Sequence, residues 1–188
     1  MNLTERAKNI LLQPVQEWSI IDKEPGSAVE LYKSYIVPLA AIGPVASIIG
    51  LSIFGIGGSY RVPLTSAIGH AVTTYIFGLI GTYVLALIID ALAPTFLGTK
   101  NNFQALKVAA YSSTAAWLAG IFNLIPSLTL LHILGLYSLY LLYLGLPVLM
   151  KAPQEKALPY TIVVIIAAIV IFGVIGALSS CFLTRPLP

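Results

Sequence analysis

The chain has 188 residues, of which 58% are hydrophobic and only 9% are charged, with a formal net charge of +3. About 25% of residues are charged in a typical soluble domain, so this chain could not cover its surface in water. The composition therefore excludes a water-soluble enzyme and a disordered chain. The ten basic residues form no patch, which excludes a nucleic-acid-binding module.

Five apolar segments are each long enough to cross a membrane as a helix, which needs about 20 residues. They lack the polar alternation of barrel strands, and a helix satisfies its own backbone in lipid. Of the ten basic and seven acidic residues, only Asp90 and Lys107 fall inside a segment, each near its end. We expect an all-α, polytopic membrane protein with five transmembrane helices, at residues 36–56, 68–93, 105–125, 128–150 and 159–182.

Basic residues are distributed unevenly between the flanking segments, and cytoplasmic loops carry the excess of Lys and Arg. Five spans leave only Arg61 and Arg185 on one side. We therefore expect a membrane protein whose N-terminus is cytoplasmic and whose C-terminus lies on the opposite side of the membrane. The tightest connection is Pro126-Ser127, between spans three and four. The basic residues of the cytoplasmic side are Arg6, Lys8, Lys23, Lys33, Lys100, Lys107, Lys151 and Lys156.

Residues 1–35 form a polar N-terminal segment with amphipathic helical patterning. Asn2 and Ser27 are each followed three residues later by Glu, which predicts two helix starts. Pro14 should end or kink the first helix. The apolar stripe continues to Trp18, which predicts either a helix on the cytoplasmic membrane surface, with Trp18 as an anchor, or a helix packed on the protein itself.

The first span contains Pro38 and Pro44, and each proline removes a backbone donor and clashes with the preceding turn. A bent or broken helix is therefore expected. Broken helices line binding sites in several transporters, although an ordinary kink satisfied by neighbouring helices explains the same residues.

Asp90 lies near the C-terminal end of span two, where the helix dipole disfavours a carboxylate. We expect compensation by a salt bridge to Lys107 or Lys100, or a role of Asp90 in capping the loop. A proton or cation site and snorkelling to the interface are the alternatives.

His70 and His132 begin spans two and four, which run in the same direction, so both should lie at the same outer depth. Hydrogen bonds to loops are the favoured interpretation, with a shared metal or pH-sensitive contact as the alternative.

Small residues spaced by four predict close helix contacts, within one chain or in a homo-oligomer. No phosphate-binding loop, nucleophile turn or zinc-protease motif is present in the sequence. We expect no enzyme activity, no cofactor and no metal. The small residues in question are Thr74, Gly78, Thr82, Ser112, Ala116, Gly120, Gly176 and Ser180.

Three groups of residues give the chain a family resemblance: Asp90-x-x-x-Pro94, Leu106-Lys107 with Tyr111, and Gly135-Leu136-Tyr137 through to Lys151. In order and spacing they resemble the bacterial branch of the Yip domain family, which is named for interaction with Ypt/Rab GTPases. The resemblance covers roughly residues 5–180. It implies a bacterial inner membrane protein with five spans, a cytoplasmic N-terminus and a periplasmic or extracellular C-terminus. In eukaryotic members it implies a role in vesicle traffic through Rab binding.

Two functions follow as hypotheses. The first is a non-enzymatic membrane scaffold or organising component, in contact with the lipid bilayer, with self-association and an unknown protein partner. In this hypothesis residues 1–35 are a cytoplasmic amphipathic segment and residues 36–182 are the transmembrane domain. The second is a small transporter or channel in which Asp90 and the proline-broken first span line a polar path.

Overall fold

The computed structural model describes residues 2–55 and 61–184. Ile56, the last residue of the first predicted span, and Arg185 lie outside these ranges. All regular elements of the described residues are helical. The α-helices are α1 (Leu3–Leu12), α2 (Pro14–Lys23), α3 (Ala28–Phe54, with two π-helical stretches), α4 (Leu64–Leu92), α5 (Asn102–Ser112), α6 (Thr114–Ala119), α7 (Tyr137–Leu149) and α8 (Gln154–Thr184). Short 3₁₀ helices cover Ala93–Phe96, Gly120–Leu124 and Pro126–Leu136.

Four helical stretches of the described residues are long and apolar enough to cross a membrane: Ala28–Phe54, Leu64–Phe96, Leu130–Leu149 and Gln154–Ser180. Their outward faces carry exposed large apolar side chains, such as Ile80 and Ile166, as expected where lipid is the solvent. Four of the five predicted spans thus coincide with helical stretches of membrane-spanning length. The third, 105–125, does not coincide with one of these four stretches, and its crossing stays a prediction.

The ends of the helices meet in two groups. At one end, the Thr99 amide donates to the Met150 carbonyl at 2.7 Å, which joins the loop after α4 to the end of α7. At the other end, the Val62 amide donates to the Leu51 carbonyl at 3.1 Å, which joins the end of α3 to the start of α4. We call the first group the hairpin end, because the N-terminal helices α1 and α2 form a helical hairpin beside it; it consists of residues 97–103 and 149–153. We call the second group the far end; it consists of residues 50–55, 61–64 and 120–132.

α1 and α2 form a helical hairpin that packs on the bundle beside the hairpin end. Its two predicted features are confirmed: the Asn2 Oδ1 caps α1 by accepting from the Thr4 amide at 3.3 Å, and Pro14 is the first residue of α2. Trp18 is fully buried within the protein. A Cβ at Gly145 of α7 would lie 2.6 Å from its ring. The interpretation of Trp18 as a membrane anchor is therefore wrong, and the self-packing alternative holds for this side chain.

α3 is an α-helix with π-helical stretches at Tyr32–Ile36 and Gly50–Phe54 and a turn at Ala41, and two of these irregularities lie close to its prolines. Ser27 caps it, with Oγ accepting from the Glu30 amide at 3.2 Å, as predicted. A π-helical stretch, Tyr32–Ile36, comes directly before the turn that contains Pro38, and a further interruption falls at Ala41, three residues before Pro44. Wider turns give the proline rings room beside the preceding carbonyls.

The small-residue predictions divide into two outcomes. Gly120 belongs to a close contact, because a Cβ there would lie 2.7 Å from Gly43 Cα in α3. Gly78 and Gly176 do not, because a Cβ at either position would meet no heavy atom within 4 Å. The predicted close contacts within one chain are therefore wrong at Gly78 and Gly176, and a contact with a second copy at these positions stays a prediction.

Gly120→Ala is expected to lower the free energy of unfolding by about 1–3 kcal/mol, because the added methyl group must push two backbones apart. Gly78→Ala adds the same methyl group in open space and should not destabilise the fold. Thermal unfolding of both variants in one detergent, followed by circular dichroism, tests the difference. Equal melting temperatures would contradict the close contact.

Candidate functional site

A cluster of four charged groups, three of them buried, fixes the N-terminal hairpin to the bundle. Lys107 of α5 is 4% exposed, and its Nζ donates to the carbonyls of Ile21 at 2.8 Å and Glu24 at 2.7 Å. Nζ also lies 4.7 Å from the centre of the Phe103 ring. Lys107 therefore binds the end of α2 rather than the end of α4.

Arg6 is the second cation of this cluster, and the sequence analysis did not single it out. It is 4% exposed and forms ion pairs with Glu17 and with Glu24. Its guanidinium also lies 5.6 Å from the centre of the Tyr111 ring. Arg6, Glu17, Glu24 and Lys107 carry two positive and two negative charges, and we call them the ionic cluster.

The guanidinium of Arg6 stays charged in this site. Burial lowers the pKa of Arg6, but the hydrogen bond to Glu24 and the nearby carboxylates outweigh it and raise the pKa above its usual value. A second link at the same end is the ion pair between Lys151 Nζ and Asp22 Oδ2, at 2.6 Å. This pair is more exposed and contributes less.

A cavity of about 260 Å³ opens beside the ionic cluster. Arg6, Glu24, Glu30, Lys107 and Tyr111 are among the residues that line it. Because Lys107 and Arg6 are already bound to carbonyls and carboxylates of the hairpin, the cluster holds α1 and α2 in place. It presents no free basic pair to an anion.

The predicted salt bridge between Asp90 and Lys107 is wrong. Among the described residues, Asp90 pairs with neither Lys107 nor Lys100, and its Oδ1 is buried without a hydrogen-bond partner. Lys107 is turned towards the hairpin instead, where backbone carbonyls at the end of α2 replace the carboxylate. Asp90 lines neither the cavity beside the ionic cluster nor the one described next.

Asp90→Asn is expected to leave the free energy of unfolding within about 0.5 kcal/mol, since it breaks no ion pair. Lys107→Met should lower it by about 1.5–3 kcal/mol, because two carbonyls lose a charged donor. The double variant should show additive effects in thermal unfolding. A coupling energy above about 1 kcal/mol between the two positions would show that Asp90 and Lys107 form a salt bridge after all.

His70 and His132 line one cavity of about 350 Å³ in the half of the bundle nearest the far end. Pro44 of α3 lines it as well, so the structure brings three predicted residues together. His70 Nδ1 lies 3.0 Å from the Ser179 carbonyl of α8, which is a helix and not the predicted loop. His132 packs edge-on against Phe122, with ring centres 6.4 Å apart. Pro38 does not line this cavity.

Comparison with known proteins gives the family. The family model described as "Yip1 domain" matches residues 8–175. The chain belongs to the Yip1 domain family. This confirms the family resemblance, and together with the long apolar helices it makes the chain an integral membrane protein of that family.

The curated relatives of this Yip1-family chain are named inner membrane protein YohC, from Escherichia coli strain K12 and from Escherichia coli O6:H1. Each is 25% identical over 174 residues, covering 88% of this chain and 89% of the relative. No solved structure matches. The family match contains three members of the ionic cluster and both histidines of the cavity, whereas Arg6 lies just before it.

Proposed function

We propose that this Yip1-family protein crosses the bacterial inner membrane five times and has a cytoplasmic N-terminus. The segment from Asn102 to Leu124 supports the third crossing. It begins beside Thr99 at the hairpin end, and the Asn123 amide group reaches Gly43 near the far end. At about 1.5 Å per residue this segment reaches roughly 33 Å, close to the thickness of the hydrocarbon core. The basic residues of the hairpin end support its cytoplasmic placement.

The length of α4 with its 3₁₀ extension supports a cytoplasmic position for the ionic cluster. Leu64–Phe96 has 33 residues, or about 50 Å, which exceeds the hydrocarbon core by about 20 Å. We divide this excess between the headgroup regions at the two ends of the helix, so that Asp90, Lys107 and the hairpin lie at the cytoplasmic edge of the lipid tails. The turn of the hairpin carries Leu12 and Val15, which are 69% and 63% exposed and would meet the membrane surface.

On this arrangement the protein acts as a non-enzymatic scaffold or organising component of the membrane. The observation that carries this proposal is the use of the buried charges: Arg6 and Lys107 are bound within the protein and hold the hairpin on the bundle. Because the ionic cluster holds the hairpin in place, the apolar turn of the hairpin has a fixed position from which it can contact the bilayer or a second copy. A fixed contact surface of this kind is expected of a structural protein.

Photo-crosslinking in native membranes tests the scaffold. A photoreactive amino acid at Leu12 or Val15 should give crosslinks to lipid and to a second copy or another membrane protein. The same group at exposed Lys23, at the base of the hairpin, is the control. The proposal fails if neither a partner nor an oligomer is captured and if vesicles containing the protein keep the shape of empty vesicles.

The cavity beside Pro44 favours a small transporter as the second candidate. The predicted polar path through Asp90 gains no support from this cavity or from the one beside the ionic cluster, because Asp90 lines neither. The support for transport is therefore the histidine cavity. Solute flux into proteoliposomes distinguishes this candidate from the scaffold.

A further inference from the structure

We infer that the cavity shared by His70 and His132 is a binding site for an uncharged, mainly apolar molecule that carries a hydroxyl group. This inference goes beyond the scaffold and does not depend on it. A volume of about 350 Å³ is in the range of small-molecule sites and more than twice that of an engineered cavity that holds benzene. The site is therefore large enough for an alcohol of medium chain length.

The lining of the cavity selects an uncharged ligand. None of the described residues that line it is Asp, Glu, Lys or Arg. Its walls include Gly78, Ala116, Trp117 and Phe172, which offer apolar surface. An ion would lose its hydration here without a partner of opposite charge, whereas an apolar body gains from burial.

His70 supplies an acceptor for the hydroxyl group. The Ser179 carbonyl can only accept, so Nδ1 of a neutral His70 must carry the proton and donate to it. Nε2 is then an acceptor, and a ligand that meets this nitrogen must bring a donor. A hydroxyl group provides one without adding charge.

Gly78 gives a way to fill the cavity without disturbing the helices. It lines the cavity, and a Cβ added there would meet no heavy atom within 4 Å. Gly173 of α8 is equally free of neighbours but does not line the cavity. Gly78→Leu and Gly173→Leu are therefore the same chemical change inside and outside the proposed site.

The test is photolabelling of the purified full chain with 3-azioctanol, a photoreactive eight-carbon alcohol. We expect saturable labelling of peptides around Pro44, His70 and Ala116, which excess 1-octanol removes. Gly78→Leu should reduce this labelling at least tenfold, and Gly173→Leu should leave it unchanged. His70→Phe should weaken binding about two- to tenfold, as loss of one hydrogen bond implies.

A second competitor distinguishes the source of the ligand. Competition by 1-octanol alone indicates a small solute, and additional competition by dioctanoylglycerol indicates a membrane lipid. Labelling that 1-octanol does not compete, that maps outside the cavity, or that persists in Gly78→Leu would overturn the inference. If Gly78→Leu does not fold, mapping and competition on the unmodified chain decide the question. The outcome of the photolabelling is independent of the crosslinks expected at Leu12 and Val15, which test the scaffold.

Discussion

Arg6→Ala is expected to lower the stability of the docked N-terminal hairpin by about 3–5 kcal/mol, the largest effect of any single change to a charged residue here. The reason is that Glu17, which is almost fully buried, would lose its ion partner. Glu24 would lose a partner at the same time. Hydrogen exchange of the α1 and α2 amides, measured in detergent micelles, reports this local opening.

Lys8→Ala is the matched control for this experiment. Lys8 lies in the same helix, is exposed and forms no ion pair among the described residues. Its removal should leave exchange in α1 and α2 unchanged. Similar exchange rates in Arg6→Ala and Lys8→Ala would show that the ionic cluster does not hold the hairpin.

Trp18→Ala should destabilise the docked hairpin by about 3–5 kcal/mol, because it removes a fully buried ring and leaves a cavity against α7. Gly145→Leu should also destabilise it, since a Cβ at Gly145 would already lie within 2.9 Å of three ring atoms. Combined, the two changes should recover part of the loss, because the new leucine side chain occupies the space that the ring vacates. Protease resistance of the segment between α2 and α3 gives a simple readout.

The control for the second position is Gly173→Leu, because a Cβ added at Gly173 would meet no heavy atom within 4 Å. It should leave protease resistance as it is in the unmodified chain. If Gly145→Leu alone is tolerated as well as Gly173→Leu, Trp18 does not pack on α7 as described.

Features set by neighbouring residues were predictable from the sequence. The Asn2 and Ser27 caps and the break at Pro14 depend on residues within four positions of each other, and all three are confirmed. The family resemblance was also confirmed, since it rested on the order of several groups along the whole chain. Four of the five predicted spans coincide with helical stretches of membrane-spanning length, because their apolar runs are long.

Features that depend on contacts between distant elements were not predictable in the same way. Arg6 was missed because its partner Glu17 lies across the Pro14 break, in another helix, where no periodic pattern links them. Lys107 was assigned to Asp90 because both fall near the same loop, but backbone carbonyls of α2 bind it instead. Gly78 has the four-residue spacing of a helix-packing residue, but it lines a cavity. The spacing of small residues does not determine whether another helix packs against them.

The side of the membrane reached by Ser127 tests the five-span arrangement most directly. In a Cys181→Ser background, single cysteines at Arg61, Lys100, Ser127 and Glu155 can be labelled in whole cells with a membrane-impermeant maleimide. We predict that the Arg61→Cys and Ser127→Cys variants react in intact cells, and that the Lys100→Cys and Glu155→Cys variants react only after permeabilisation. A Ser127→Cys variant that reacts only after permeabilisation, together with Lys100→Cys, would contradict the third crossing and the arrangement built on it.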